Sequence, residues 1–354
     1  MNQQFGWSES LGQYFAPHAA RGYVPARIVA QHRGSYIVTT ECGDLSAKAS
    51  GRLSYDPDAG GHPVVGDWVA VAARPTEGKA TIHAVLPRRT VVSRKMAGGK
   101  GAQILAANVD IVFVVTSMNA ELNPRRLERY LATAWASGAK PVIVLTKADI
   151  CHDVANSVRI VDGVAFGVPV LPVSATTGAG MDALVAHLKT GETCVLVGSS
   201  GVGKSTLMNA LAGETLMATG AISEDCDRGR HTTTHRQLWL LPNGTLILDT
   251  PGMRELGLIE AGSGVTLAFE DVEALIRRCR FNDCGHTSEP GCAVRTALES
   301  GELDTPRWKN YNKLQRELAR DARRDDPLAQ VAIHRSRVAM AKAQRVGKKL
   351  RGKP

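Results

Sequence analysis

The sequence predicts a multi-domain protein with an N-terminal β-barrel of the OB-fold type, a central α/β domain built around a phosphate-binding loop, and a mainly helical zinc-binding unit at the C-terminal end. Three observations support this order. Short strand patterns fill residues 22–87 without any helix pattern. Strands and helices alternate from residue 109 onward, which favours a mainly parallel sheet covered by helices. Three cysteines and one histidine lie close together between residues 279 and 292.

Composition and charge restrict the class of protein. A chain of 354 residues is typical of two or three domains, and no apolar run approaches the ~20 residues needed to span a bilayer. Residues 1–15 lack the pattern of a secretory signal, so we expect a cytoplasmic location. The net charge is +9, but residues 335–354 hold eight basic residues and no acidic one, which leaves 35 basic against 34 acidic residues elsewhere. Such a tail either binds nucleic acid through phosphates or serves only solubility.

The barrel is predicted over residues 22–90, after an N-terminal extension of residues 1–21. Gly34 lies in a turn signal between two strand patterns, which is typical of a hairpin, and Pro87 ends the last strand. The aromatic residues allow two interpretations: they form the barrel core, or they make a stacking surface for RNA with nearby arginines. The residues concerned are Tyr23, Tyr36 and Trp68, with Arg27, Arg33 and Arg52.

The α/β domain is predicted over residues 91–262. Asn123 and Pro124 predict the start of a helix, since Asn caps a helix and Pro suits its first turn, and Gly138 ends that helix. A hairpin is expected around Gly244. The remaining strand patterns are residues 111–116, 142–145, 168–173 and 193–197.

A phosphate loop follows the last of these strands. Residues 198–205 match the pattern G-x-x-x-x-G-K-S/T, with a strand before them and a helix pattern after them. Glycines let the backbone N–H groups point inward, Lys204 reaches the β- and γ-phosphates, and Ser205 binds Mg²⁺. The predicted nucleotide contacts are Gly198, Ser199, Ser200, Gly201, Val202, Gly203, Lys204, Ser205 and Thr206.

Two further segments complete a γ-phosphate site. Asp249 ends a strand pattern, where it suits an indirect contact with Mg²⁺, and the Gly252 N–H could sense the γ-phosphate. Between this segment and the phosphate loop lies a polar loop with three adjacent threonines, of which Thr233 is the predicted Mg²⁺ ligand.

A guanine-reading loop is predicted before the phosphate loop, the reverse of the usual order in GTPases. Asp149 can accept from guanine N1–H and the 2-amino group, which adenine does not offer. The Lys147 stem can cover the base, and the loop after residue 173 suits a contact with guanine O6. Thr146 stands where an Asn is usual, which lowers the expected affinity or guanine selectivity. The predicted residues are Thr146, Lys147, Ala148, Asp149, Ser174 and Ala175.

A structural zinc site is predicted in residues 263–325, ahead of a basic tail over residues 326–354. Three thiolates and one imidazole make a closed tetrahedral set for Zn²⁺, and unliganded thiols are the alternative. Helix patterns precede and follow the cluster at residues 267–278 and 308–324. The four predicted ligands are Cys279, Cys284, His286 and Cys292.

Taken together, these motifs resemble the circularly permuted small ribosomal subunit biogenesis GTPase A family. The resemblance runs from about residue 22 to residue 324 and is most specific in residues 198–206, 230–234, 249–252 and 279–292. It implies an OB-fold, a permuted GTPase domain and a zinc domain. It also implies binding to the small (30S) ribosomal subunit and 16S rRNA, GTP hydrolysis stimulated by that subunit, and late subunit maturation with release of an assembly factor.

The expected catalytic group differs from that of Ras-like proteins. Met253 follows the Gly252 position, where Ras-like proteins carry a Gln that orients water, so we expect slow intrinsic hydrolysis. His231 either orients water once a partner orders its loop or is a solvated loop histidine. Two alternatives stay open: an ATP-using P-loop enzyme, which Thr146 permits, and a non-catalytic RNA-binding zinc protein that only senses nucleotide. The motif order also predicts that residues 249–252 connect directly to the zinc unit.

Overall fold

The computed structural model describes residues 2–32, 34–55, 61–95, 102–119, 122–215, 236–249 and 262–325. Its strands are β1 (Val24–His32), β2 (Ser35–Thr40), β3 (Gly43–Ala49), β4 (Trp68–Arg74), β5 (Lys79–Val85), β6 (Val91–Lys95), β7 (Ala102–Ala107), β8 (Ile111–Ser117), β9 (Lys140–Thr146), β10 (Val170–Pro172), β11 (Thr193–Val197), β12 (Arg236–Leu240) and β13 (Leu246–Asp249). Its α-helices are α1 (Glu9–Ala19), α2 (Gly51–Tyr55), α3 (Pro124–Ala136), α4 (Val154–Asp162), α5 (Met181–Val185), α6 (Lys204–Ala212), α7 (Gly262–Ala268), α8 (Glu270–Arg277), α9 (Ala293–Ser300) and α10 (Thr305–Asp325).

The first five strands close into a barrel. Their order is β1-β2-β3-β5-β4, and β4 pairs back with β1. The β1–β2 hairpin turns at Gly34, whose φ of 74° suits a residue without a Cβ. Inward side chains such as Ile28, Val38 and Ile82 are fully buried. The predicted OB-like barrel is therefore confirmed.

Three of the six residues proposed for the stacking surface are buried. Trp68 is 2% exposed, Tyr36 is 8% exposed and Arg27 is 1% exposed. The RNA-stacking interpretation is therefore wrong for these three residues, which are buried in three different places. Tyr36 belongs to the main core, Trp68 packs beneath α1, and Arg27 donates a hydrogen bond to Thr193 of the central domain. Tyr23 is half-buried and stacks on His83, with 4.6 Å between ring centroids. Arg52 is exposed, and Arg33 lies outside the described residues.

The N-terminal extension forms helix α1, which the sequence patterns did not predict. Ser8 caps it by accepting from the Leu11 N–H. Leu11 and Phe15 are buried against Trp68. The helix thus covers one face of the barrel.

The central sheet has the order β10-β9-β8-β11-β13-β12, with parallel pairing up to β13 and an antiparallel β12–β13 hairpin. Side chains of β8 alternate between two buried layers. Val112 and Val114 pack on one side, while Phe113 and Val115 pack on the other. This two-sided burial explains the continuous apolar strand patterns in the sequence.

The barrel and the central sheet are hydrogen-bonded to each other. Strand β12 pairs antiparallel with β1, with Ala30 opposite Gln237 and Gln31 opposite Arg236. Arg27 adds a buried link, since its Nη2 donates to the Thr193 hydroxyl at 2.7 Å. Thr193 begins β11, the strand that leads into the phosphate loop.

The C-terminal unit is helical and packs on α3. Gly264 of α7 lies so close that a Cβ there would be 2.0 Å from the Ala132 carbonyl oxygen. The predicted helix over residues 267–278 is interrupted at Phe269, which separates α7 from α8 and is fully buried. No helix in the described part of the chain is long and apolar enough to cross a membrane.

Candidate nucleotide and metal sites

The phosphate loop connects β11 to α6 through a backbone that only glycines accommodate easily. Gly198 has a φ of 149°, and a Cβ there would lie 2.1 Å from the Val115 carbonyl oxygen. Gly201 and Gly203 have φ values of 77° and 94°. The glycines in the sequence pattern therefore have a steric cause in this fold.

Lys204 and Ser205 open helix α6 at the end of this loop. The Lys204 Nζ donates to the Gly198 carbonyl oxygen at 2.8 Å and to the Ser199 carbonyl oxygen. Its ammonium group therefore lies against the backbone at the start of the loop. The start of α6 adds N–H groups and a positive helix end that favour an anion.

Thr146 joins the predicted base-reading loop to the phosphate loop. It is 3% exposed, and its hydroxyl donates to the Val202 carbonyl oxygen at 2.6 Å. The Thr116 carbonyl oxygen lies 3.2 Å away as a second acceptor. The hydrogen bond from Thr146 to Val202 thus ties the predicted base-reading loop to the phosphate loop.

The other base-reading residues lie on adjacent loops. The Ala148 N–H donates to the Val173 carbonyl oxygen at 3.2 Å, which holds the ends of β9 and β10 together. Ser174 is fully buried, and its hydroxyl accepts from the Thr177 N–H at 3.2 Å. Asp149 is exposed. The structure thus brings together the loops after β9, β10 and β11, at the carboxyl ends of parallel strands where nucleotide sites lie in such sheets.

On the predicted γ-phosphate side of the site, the described residues include only Asp249. Asp249 ends β13, directly beside β11, since Val195 pairs with Leu248. The other predicted residues on this side, His231, Thr233, Gly252 and Met253, lie outside the described residues.

One contact with the phosphate loop was missed by the sequence patterns. Arg126, in the first turn of α3, donates from Nη1 to the Ser199 hydroxyl at 2.7 Å. Helix α3 follows β8, and β8 neighbours β11 in the sheet. The available signal was a basic residue in the first turn of the helix that follows β8.

The four predicted metal ligands converge. The ligand atoms of Cys279, Cys284, His286 and Cys292 all lie within 4.8 Å of one another. The Cys279 and Cys292 sulfurs are 4.0 Å apart, and the His286 Nδ1 is 3.6 and 3.5 Å from them. Zn–S bonds of about 2.3 Å in a tetrahedron place sulfurs about 3.8 Å apart. The donor set and its spacing therefore fit Zn²⁺.

The ligand loop is held by a carboxylate. Glu289 accepts from the Gly285 N–H at 2.9 Å and from the Thr287 N–H at 2.8 Å. Hydrogen bonds from its own N–H and from those of Thr287 and Gly285 lower the pKa of Glu289 to about 2. The charged carboxylate thus fixes the backbone on both sides of His286.

Comparison with known proteins gives a consistent result. The family model described as RsgA GTPase matches residues 85–259. A second model, for ABC transporters, matches residues 181–345, a stretch that contains the same phosphate loop. The chain is 47% identical over 315 residues to the small ribosomal subunit biogenesis GTPase RsgA 2 of Lactiplantibacillus plantarum, covering 89% of each chain. It is 46% identical over 334 residues to the corresponding RsgA of Opitutus terrae, covering 91% of each.

Two solved structures share the fold. The crystal structure of YjeQ from Thermotoga maritima has a TM-score of 0.64 and 28% identity, and the match covers 84% of this chain and 99% of that one. YloQ, described as a circularly permuted GTPase, has a TM-score of 0.61 and 24% identity, with 84% and 95% covered. The fold of this chain is therefore shared with both solved structures.

Proposed function

The chain belongs to the RsgA GTPase family, and on this premise we propose that it is a GTPase whose hydrolysis is stimulated by the small (30S) ribosomal subunit. Membership makes it a GTP hydrolase with a role in ribosome biogenesis, using Mg²⁺ with GTP. The finer proposal is that it binds 16S rRNA in the 30S subunit, assists late maturation and releases an assembly factor. It acts as a monomer in the cytoplasm.

The observation that carries the nucleotide-binding part of the proposal is the hydrogen bond between Thr146 and the phosphate loop. It joins two loops that, in our proposal, read opposite ends of one nucleotide. The phosphates bind the N–H groups of residues 198–206, with Lys204 and Ser205 on the β- and γ-phosphates and Mg²⁺. Guanine lies against Lys147 and Asp149, beside the loop of Ser174 and Ala175. Asp249, Thr233 and Gly252 complete the Mg²⁺ and γ-phosphate side.

Guanine selectivity is tested by changing the base-reading carboxylate. Affinities for GTP and ATP are measured for the wild type and for Asp149→Ala. We expect the wild type to prefer GTP and the variant to lose that preference, because Asp149 accepts from donors that only guanine has. Equal affinity of the wild type for both nucleotides would instead favour an ATP-using enzyme, the alternative that Thr146 permits.

Stimulation by the ribosome is tested by measuring phosphate release with and without purified 30S subunits. We expect slow turnover alone and a large increase with subunits, since Met253 cannot orient the attacking water. His231→Ala is expected to abolish the stimulated turnover and to spare nucleotide binding. Stimulated turnover that survives in this variant would remove His231 from the mechanism.

The cysteine–histidine cluster is proposed to bind one structural Zn²⁺. Four protein ligands leave no open position for a substrate, so the metal holds the helical unit together. The fit of the sulfur and nitrogen separations to a tetrahedron supports this assignment. Metal analysis of the purified protein, with Cys279→Ser as the comparison, is expected to give one zinc per wild-type chain and a marked loss in the variant.

A further inference from the structure

Two consecutive arginines in the first turn of α3 contact different parts of the molecule. Arg126 donates to the Ser199 hydroxyl in the phosphate loop at 2.7 Å. Arg125 donates from Nη2 to Asp304 at 2.6 Å, directly before α10. Helix α3 therefore contacts both the phosphate loop and the C-terminal helical unit through neighbouring residues.

On the loop side, Ser199 is held from two directions. Its hydroxyl accepts from Arg126, while its carbonyl oxygen accepts from the Lys204 ammonium group. Lys204 must turn toward a phosphate when a nucleotide binds. The Arg126 contact is independent of that movement, so it can keep the loop in shape as Lys204 changes partners.

On the other side, α3 is locked to α8 and α10 by a buried ionic cluster. Glu128 is fully buried, and its carboxylate accepts from Arg307 at 2.9 Å and from Asn310. Arg307 also donates to both oxygens of Asp271, at 2.8 and 2.6 Å. Although burial disfavours its charge, the bonds to Asp271 and the charge of Glu128 raise the pKa of Arg307. Shifting α3 alone would leave these charges unpaired, which is costly.

We infer that Arg126 is a positioning residue of the phosphate loop, and that α3 couples this loop to the C-terminal helical unit. Arg126 acts through Ser199 and does not need to touch the nucleotide. Because Arg126 is separated by one residue from Glu128 on a continuous helix, a change in the loop is passed to the cluster around Arg307. The inference rests on the proposed nucleotide binding by residues 198–206, but not on any ribosomal partner.

The first test is a double-mutant cycle measured by fluorescent GDP and GTP titration without ribosomes. Arg126→Ala, Ser199→Ala and the double variant are each expected to bind GDP and GTP about tenfold more weakly than the wild type. Arg126→Lys, which keeps a cationic donor, is expected to recover part of the affinity. Arg159→Ala is the matched control, because Arg159 is an exposed arginine bonded only to Asn156 on its own helix among the described contacts.

The outcomes separate the inference from the function on which it rests. A double variant that binds about a hundredfold more weakly, as the product of two independent effects, would show that Arg126 does not act through Ser199. If Arg126→Ala bound nucleotide as tightly as the wild type, Arg126 would not position the phosphate loop. If the wild type itself bound no nucleotide, the proposed nucleotide site would fail first.

The second test measures hydrogen exchange in residues 305–318 of α10 with and without GDP. We expect GDP to change protection of this segment in the wild type and in Arg159→Ala, and to leave it unchanged in Arg126→Ala. The same GDP-dependent change in Arg126→Ala would overturn the coupling through α3, as would no change in a wild type that binds GDP.

Discussion

At the scale of single residues, Thr146 shows what a sequence pattern can and cannot predict. The pattern identifies the position as a departure from the usual Asn, but it does not say which contacts survive. In the structure the threonine hydroxyl still reaches the Val202 carbonyl oxygen. One hydroxyl proton suffices for this bond, so Thr146 keeps the tie between the loops without the two donors of an amide.

Replacing Thr146 by Val removes that bond while keeping the shape of the side chain. We expect affinity for guanine and adenine nucleotides to fall by the same factor, about tenfold, because the lost contact holds the loop and not the base. Fluorescent nucleotide titrations measure both. Thr146→Ser, which retains the hydroxyl, is the control, and a loss confined to guanine nucleotides would place Thr146 in base recognition.

Glu289 holds the loop that carries His286, one of the four proposed zinc ligands. Glu289→Ala removes the acceptor for three backbone N–H groups around His286, those of residues 285, 287 and 288. We expect zinc affinity to fall by about 10- to 100-fold, the usual effect of losing a group that orients a ligand. Competition with a chromophoric chelator measures it. Glu299→Ala, an exposed glutamate bonded to Arg295, should leave zinc affinity unchanged.

At the scale of elements, the packing of α7 on α3 depends on the absence of a side chain. A Cβ at Gly264 would lie 2.0 Å from the Ala132 carbonyl oxygen and 2.7 Å from the Ala136 nitrogen. Backbone atoms of a helix cannot move aside cheaply, so the two helices would have to separate. This close approach fixes the position of α7 on α3.

Gly264→Ala is therefore expected to lower the free energy of unfolding by about 1–3 kcal/mol. Gly262→Ala, in the same helix but with no atom of the described residues within 4 Å of its added Cβ, should be neutral or slightly stabilising. Urea denaturation followed by circular dichroism compares the two. Equal effects of both substitutions would contradict the close-packing explanation.

The elements that the sequence failed to predict have identifiable causes. No Gly or Pro marks the interruption at Phe269, and local propensity there favours one continuous helix. The interruption depends instead on burial of the Phe269 ring against Tyr311, a contact between residues far apart in the sequence. Helix α1 has only a weak helix pattern in the sequence, because Pro17 lies inside it and its apolar face is short. In contrast, Asn123 and Pro124 predicted the start of α3 correctly, since capping is decided by adjacent residues.

At the scale of the whole molecule, the strand order places the phosphate loop between two connected units. The loop is linked to the barrel through Arg27 and Thr193, and to the helical unit through Arg126 and α3. The sequence predicted the parallel sheet and the four cysteine and histidine side chains that converge, because both depend on local patterns. It could not predict Arg27 or Arg126, because their partners are 166 and 73 residues away.

The reversed motif order also predicts communication from residues 249–252 to the zinc unit. We expect hydrogen exchange over residues 267–292 to differ between the GDP-bound protein and one bound to a non-hydrolysable GTP analogue. Equal exchange in both states would contradict this route. Arg126→Ala interrupts only the path through α3. A difference in exchange between the two nucleotide states that persists in this variant would therefore belong to the route from residues 249–252.

The pairing of β12 with β1 bears on the behaviour of the protein at high concentration. An unpaired outer strand is a template on which another chain can add, the first step toward aggregation. In the eleven-stranded sheet of the described residues, β4 returns to β1, and only β10 is left at an outer edge. That strand has three residues and ends in Pro172, whose nitrogen cannot donate a hydrogen bond. This sheet is therefore expected to resist chain-to-chain strand addition even when no nucleotide or ribosome is bound.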